Sequence, residues 1–396
     1  MGALILSGGA VIDGTGSEPV KGRAVVVEDG RIAGVVDEAR APRGERVDLA
    51  GQTLLPGLIN CHVHLCLGAE PDPVRPLREE PLAFTAIKAL ARARQTVEAG
   101  VTTVRDLGGR EYAELAVRRA VQDGLFAGPR ILAAGRVICM TGGHGHWLAR
   151  EADGPDDARK AVREQLKAGA DVIKIIATGG VMTPGVEPGS PQLTLEEMRA
   201  AIEEAAKAGR RTAAHAQGAS GIRDAVLAGI SSIEHGIYLT EEIIARMRQE
   251  GTYLVPTLIA PTAIAAGGLA AGIPDFMVRK AEAVIPAHVA SFQQALRSGV
   301  LIAAGADSGT PLNPHGSLVP ELELMVKYGM TPLGAIRAAT SAAADLLGLG
   351  ATIGRIAPGY AADLIAVAAN PAERIQALGD VRRVWLGGRL LGAAPA

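Results

Sequence analysis

The sequence predicts an α/β protein, a closed (β/α)8 TIM barrel with a small β-sandwich domain formed jointly by the two ends of the chain. Two observations predict it. The middle of the 396-residue chain repeats an apolar strand-like run followed by an amphipathic helix, the pattern of a parallel sheet wound with right-handed crossovers. Both ends have a different texture, of short β runs broken by Gly, Asp and Pro.

Residues 1–55 contain the runs ALILSG, AVVVEDG and RIAGVV, and the segment from 351 returns to that texture in ADLIAVAAN and VRRVWLGGRLL. Residues 1–55 and 351–396 are therefore expected to fold as one sheet domain beside a barrel of residues 56–350. Barrel strands are expected near 56–64, 101–107, 129–139, 171–177, 212–216, 231–235, 252–258 and 301–307. Helix starts carry side-chain caps: Thr194 with Glu197 forms a T-x-x-E box, and Thr240 precedes Glu241 and Glu242. Eight strands favour a closed barrel over an open sheet, with the site at the C-terminal strand ends.

Composition narrows the partners. The 40 Lys and Arg balance 42 Asp and Glu for a net charge of -2, which leaves no electrostatic footprint for nucleic acid or an anionic membrane. With 2 Trp, 5 Tyr and 4 Phe, the core must be built from small aliphatic side chains, as suits a sheathed parallel sheet. Three cysteines, Cys61, Cys66 and Cys139, argue against a disulfide framework. The N-terminus reads as neither a secretory leader nor a membrane span, so a soluble cytoplasmic protein is expected.

The sharpest chemical feature is LPGLINCHVHL, in which His62 and His64 stand two apart on a strand and share a face. Two such imidazoles can hold a divalent metal. Four further strands end in groups of the same kind: Lys174 in DVIKII, His215 in TAAHAQG, His235 in SSIEHG and Asp307 in LIAAGADSG. A lysine buried in an apolar run is costly unless it is paired, neutral or modified. The spacing puts these groups on strands 1, 4, 5, 6 and 8, which a barrel gathers around one mouth.

These residues resemble the amidohydrolase superfamily, in its metal-dependent dipeptidase and prolidase branch similar to imidazolonepropionase. The resemblance runs from LLPGLINCHVHL to GRIAPGYAADLIAV. It implies a binuclear centre of two divalent ions, usually Zn2+. His62, His64 and Asp307 would bind the more buried ion, and His215 and His235 the more exposed one. Lys174, carrying a carboxylate derived from CO2, would bridge them. Imidazole and carboxylate suit zinc, and a cation pair activates a bridging hydroxide. Asp307 would take the proton and pass it to the leaving amine. The implied reaction is hydrolysis of the amide bond of dipeptides or N-acyl amino acids, with Xaa-Pro dipeptidase or carboxypeptidase-like specificity. Homo-oligomerisation is implied by the same resemblance.

A second cluster, MTGGHGHWLAR, holds His144, which matches a family position that reaches the substrate; His146 and Trp147 follow as candidate pocket residues. Tyr238 resembles a family tyrosine near the substrate, able to donate to a developing oxyanion. Cys61 and Cys66 read as small buried thiols, His288 as structural or at the surface, and His315 as a pocket-rim candidate. Arg105 and Asp106 read as an ion-pair brace at the mouth. The loops 66–81 and 258–274 are candidate lids.

Two alternatives stand beside this reading. One is hydrolysis of a non-peptide amide, lactam or carbamate, since pocket contacts decide specificity. The other is a non-catalytic scaffold of the same fold, which would be expected to have lost metal ligands. A mononuclear deaminase fits less well, because His215 is followed by Ala216, Gln217 and Gly218 rather than a nearby Glu.

Overall fold

The computed structural model describes residues 2–316 and 318–392. Its middle is a mixed α/β array built on parallel strands. Six strands form one sheet in the spatial order Ala149–Glu151, Val137–Cys139, Val172–Ile176, Arg211–Ala216, Ser232–His235 and Tyr253–Val255, every pair parallel. Leu58–Val63, Val101–Asp106 and Arg130–Ala133 form a second parallel sheet of three. Between successive strands lie helices such as Leu82–Glu98, Pro155–Ala168 and Leu195–Lys207. Ala, Val, Leu and Ile dominate the large buried cluster beneath them, so the shortage of aromatic residues is met by closely approaching small side chains.

Two expected strands depart from simple form. The run expected at 129–139 is two strands, Arg130–Ala133 and Val137–Cys139, belonging to different sheets. The break has a local cause: the Gln165 side chain takes the Arg136 N–H at 2.9 Å, where a strand partner would otherwise accept it. The run expected at 301–307 makes isolated parallel bridges, Leu254 with Ile302 and Val63 with Ser308. Cys61 N donates to Ala304 O at 2.9 Å and Asp307 N to His62 O at 2.8 Å. A regular ladder is interrupted because Asn60 Oδ1 accepts from both His62 N (3.1 Å) and Ala306 N (3.0 Å). The approach is so close that a Cβ on Gly305 would lie 2.4 Å from Val255 and 3.0 Å from His62.

The terminal segments contribute two further sheets. Arg31–Asp37, Arg23–Glu28, Leu4–Ser7 and Glu45–Asp48 make one; Arg389–Leu390, Val381–Leu386, Leu364–Val367, Thr53–Pro56 and Ala10–Val11 make the other. Residues from both, including Leu6, Val25, Leu54, Leu364 and Trp385, share one buried cluster.

The helix caps stand as expected. Thr194 and Glu197 form a reciprocal capping box, and Thr240 accepts from Ile243 N. Cys61, Cys66 and Cys139 are buried and unpaired. Among the described residues no helix is long and apolar enough to cross a membrane.

Candidate metal centre

The H-x-H residues leave the end of the Leu58–Val63 strand, and their second ring nitrogens are tied down. His62 Nδ1 donates to Glu234 Oε2 at 2.9 Å, and His64 Nδ1 donates to Gly108 O at 3.0 Å. The Nε2 atoms of both rings lie 3.4 Å from Asp307 Oδ1. His215 Nε2 donates to Gly179 O at 2.9 Å, and His235 Nδ1 lies 2.7 Å from Thr257 Oγ1. Each imidazole is thus left with one nitrogen to offer. Fixing one ring nitrogen through the other is how proteins orient metal-ligating histidines.

The rings converge. Centroids of His62 and His64 are 5.3 Å apart, those of His62 and His235 5.2 Å, and those of His215 and His235 4.6 Å. Donor atoms of His62, His235 and Asp307 all lie within 4.8 Å of one another. This trio crosses the division that the family resemblance implies, in which His235 serves the other ion. His235 and Asp307 both take left-handed backbone, with φ of 72° and 57°, so each side chain is aimed as the chain turns away from the sheet.

Lys174 lies in the Val172–Ile176 strand, 2% exposed, and its Nζ is buried with no hydrogen-bond partner. Burial pushes its pKa down to about 8, with the Arg105 charge adding to the effect and Glu234 opposing it. An orphan amine facing four imidazoles and a carboxylate is a costly arrangement as it stands. Conversion to a carbamate would replace a repelled cation with an anionic oxygen ligand, so the chemistry of the residues present fits divalent metal, with Lys174 among the groups that would hold it.

Electrostatics keep most of the rings neutral. Burial holds His62, His215 and His235 well below the ordinary imidazole range and pushes His144 to about 3. For His64 burial acts in the same direction, but the adjacent Asp307 carboxylate outweighs it and raises the pKa. Burial works against an ionised Asp307, yet His62 and His64 beside it bring its pKa down to about 2. Neutral imidazole and ionised carboxylate are the forms that bind metal.

The expected ion-pair brace is divided differently. Arg105 pairs with Glu234 at 2.8 Å and also donates to Cys61 O (2.6 Å) and Ser232 Oγ (3.0 Å). Asp106 instead accepts the backbone N–H groups of Leu65 (2.8 Å) and Gly108 (3.0 Å), holding the turns that follow two strands. Glu234 escapes a reading of the sequence, because a Glu beside His235 on an apolar strand reads as the opposite face. Its signal is the apolar setting itself: a fully buried carboxylate needs a cation, and Arg105 is one.

His62, His64, Lys174, His215, His235 and Asp307 all line one cavity. His144 lines it too, with its ring centroid 4.3 Å from that of His215 and its Nδ1 2.8 Å from Thr183 Oγ1. The ring lies against Gly180, where a Cβ would come within 2.5 Å of it. Trp147 also lines the cavity, whereas His146 turns back to Gly143 O at 3.1 Å. Tyr238 stands outside the lining, 37% exposed. His315 ties down the loop after the H-x-H, with Nε2 2.9 Å from Leu67 O.

His288, read from the sequence as structural or superficial, is buried in the cavity wall and bonds His235 O and Pro256 O through Nε2. Of the two loops expected to form lids, 66–81 contributes Leu67, and 258–274 contributes Ala260, Pro261 and Ile264. The latter begins with Leu258 and Ile259, whose N–H groups Glu321 accepts at 3.0 and 2.8 Å.

The family model described as Amidohydrolase family matches residues 53–391. Ochratoxinase from Aspergillus niger is 34% identical over 98% of this chain and 86% of its own length. A crystal structure of a Xaa-Pro dipeptidase with bound methionine in the active site has a TM-score of 0.90 at 33% identity, covering 98% of this chain and 99% of that one. A prolidase structure complexed with N-methylphosphonate-L-proline has a TM-score of 0.91 at 31% identity, with the same coverage.

Proposed function

The chain belongs to the amidohydrolase family and is a hydrolase, and from that premise we propose that it cleaves the amide bond of dipeptides or N-acyl amino acids with a binuclear metal centre. His62, His64, Lys174 as its carbamate, His215, His235 and Asp307 would hold two divalent ions, Zn2+ by the chemistry of the donor set. The observation that carries this reading is the unpartnered Lys174 amine at the convergence of the four imidazoles and Asp307.

Bound cations supply Lewis acidity and an acidified water. This chain's own residues do the rest. Asp307, ionised and next to His62 and His64, accepts a proton and delivers it to the leaving nitrogen. His144, kept neutral, directs a ring nitrogen at the substrate carbonyl or carboxylate. The dipeptidase and prolidase structures above support a peptide-like substrate over a lactam or carbamate.

The same reading takes residues 56–350 as a closed (β/α)8 barrel and residues 1–55 with 351–396 as a β-sandwich. Supporting closure are the bridges that link 301–308 to Leu254 and to Val63. Supporting the sandwich is the buried cluster shared by the two terminal sheets.

The test is turnover of a dipeptide and N-acyl amino acid library, including Xaa-Pro, by protein stripped of metal and then reloaded. Activity should vanish on stripping and return at about two zinc ions per chain. No cleavage at full loading refutes the assignment.

A further inference from the structure

The cavity wall is largely apolar, with Leu67, Val137, Leu148, Val181, Met182 and Ile264 among its residues. Its charged side chains are Lys174 and Asp307, and both belong to the cluster described above. Asp307 is already shared between His62 and His64. Among the described lining residues no carboxylate remains to meet a substrate ammonium.

Two neutral polar groups in the wall are unspent. Gln217, 5% exposed, lines the cavity, and its Oε1 is buried without a hydrogen-bond partner. Its backbone is pinned at both ends: the N–H donates to Thr178 Oγ1 at 2.9 Å, and the carbonyl accepts from Tyr238 N at 3.0 Å. The second group is the Trp147 indole, whose Nε1 is likewise buried with no acceptor. Its ring stands edge-on to His144, centroids 6.0 Å apart, on the side of the cavity where His144 approaches His215.

A buried amide oxygen left unbonded is costly, and folded proteins leave few such atoms. One held on a fixed backbone in a cavity wall is therefore a ligand contact in waiting. The choice of ligand follows from charge. An α-ammonium would enter beside a cluster built to hold cations, with no free carboxylate among the described lining residues to offset the repulsion. A neutral amide carries no such penalty and matches a carboxamide in both donor and acceptor.

Resting on the amide-hydrolase reading above, we infer that Gln217, together with the Trp147 indole N–H, binds a neutral amide group on the acyl side of the scissile bond. Gln217 is then a specificity-determining residue that makes acyl-capped dipeptides better substrates than dipeptides with a free amine.

The experiment compares kcat/KM of the zinc-loaded full chain for N-acetyl-Ala-Leu and Ala-Leu. The capped peptide should be favoured by about tenfold or more, and Gln217→Leu should bring the ratio near unity. Gln217→Glu, which keeps the shape and adds a charge, should shift preference toward the free amine. A native ratio at or below unity, or a ratio unmoved by both variants, overturns the inference. Calorimetric binding of N-acetylalanine and alanine to the full chain stripped of metal, which does not turn the former over, separates the two readings. If neither peptide is cleaved but N-acetylalanine binds more tightly in a Gln217-dependent way, the hydrolytic assignment fails and the inference stands. Equal binding of the two overturns the inference whatever the chemistry.

Discussion

His62 and Glu234 are joined through the ring nitrogen that faces away from Asp307: Nδ1 donates to Oε2 across 2.9 Å, while the other carboxylate oxygen receives Arg105 at 2.8 Å. All three side chains are buried. The pair fixes the tautomer of His62 and leaves Nε2 as its lone-pair donor. Glu234→Gln should lower metal affinity by about 10–100-fold, the usual effect of losing a partner behind a ligand. Chelator competition measures it. Unchanged affinity would mean that Glu234 serves only to neutralise Arg105.

Lys174→Ala removes the proposed bridge while leaving the imidazoles in place. Activity should fall by at least roughly a hundredfold, and short carboxylic acids such as acetate or propionate should restore part of it by filling the space with an anionic oxygen donor. Metal content measured alongside should rise with the added acid. A variant as active as the native protein, with no response to acid, would remove Lys174 from the centre.

Gly180→Ala tests the placement of His144. The new methyl would meet the ring within 2.5 Å, so the imidazole must move while the ligands behind it need not. The expected outcome is unchanged metal content with kcat/KM down by about 10²-fold, the scale on which a displaced catalytic group is felt. Loss of metal instead would show that the ring and the centre move together.

Glu321 gives the chain a pH-sensitive stability. Burial raises its carboxyl to about 8, against the opposing pull of the Leu258 and Ile259 N–H groups. The unfolded chain ionises this group near its ordinary value of 4.5, so between the two values the native state binds the extra proton. The contribution is complete below about 4.5 and is lost as pH rises through about 8. Denaturant titrations across this range should show stability falling with pH in the native protein and a flatter profile in Glu321→Gln. Parallel profiles would sink the assignment.

Much of the architecture is legible because strand periodicity and helix capping are local signals. The Thr194–Glu197 box can be read from two letters and is present as written. What escapes the sequence is side-chain interference with backbone pairing. Asn60 and Gln165 each take an N–H that a ladder would use, and neither residue advertises this. That His62, His64, Lys174, His215, His235 and Asp307 would line one cavity is legible because polar groups ending apolar runs are anomalous. Glu234 is hidden by its neighbour His235, and Glu321 lies on a helix where an acidic residue is ordinary. Tyr238 enters the sequence reading through family likeness alone; its N–H donates to Gln217 O, and the residue stands partly exposed outside the cavity lining.

The positive φ angles at His235 and Asp307 restrict how this mouth can change over evolutionary time. Most side chains resist that region by about 1–2 kcal/mol, while Asn, Asp and His tolerate it best. Substitutions that discard the chemistry yet spare the fold should therefore collect on Asn and Gly. A saturation library selected only for soluble expression would return Gly, Asn, Asp and His at both codons, so the main-chain geometry would outlast the activity it was shaped to serve.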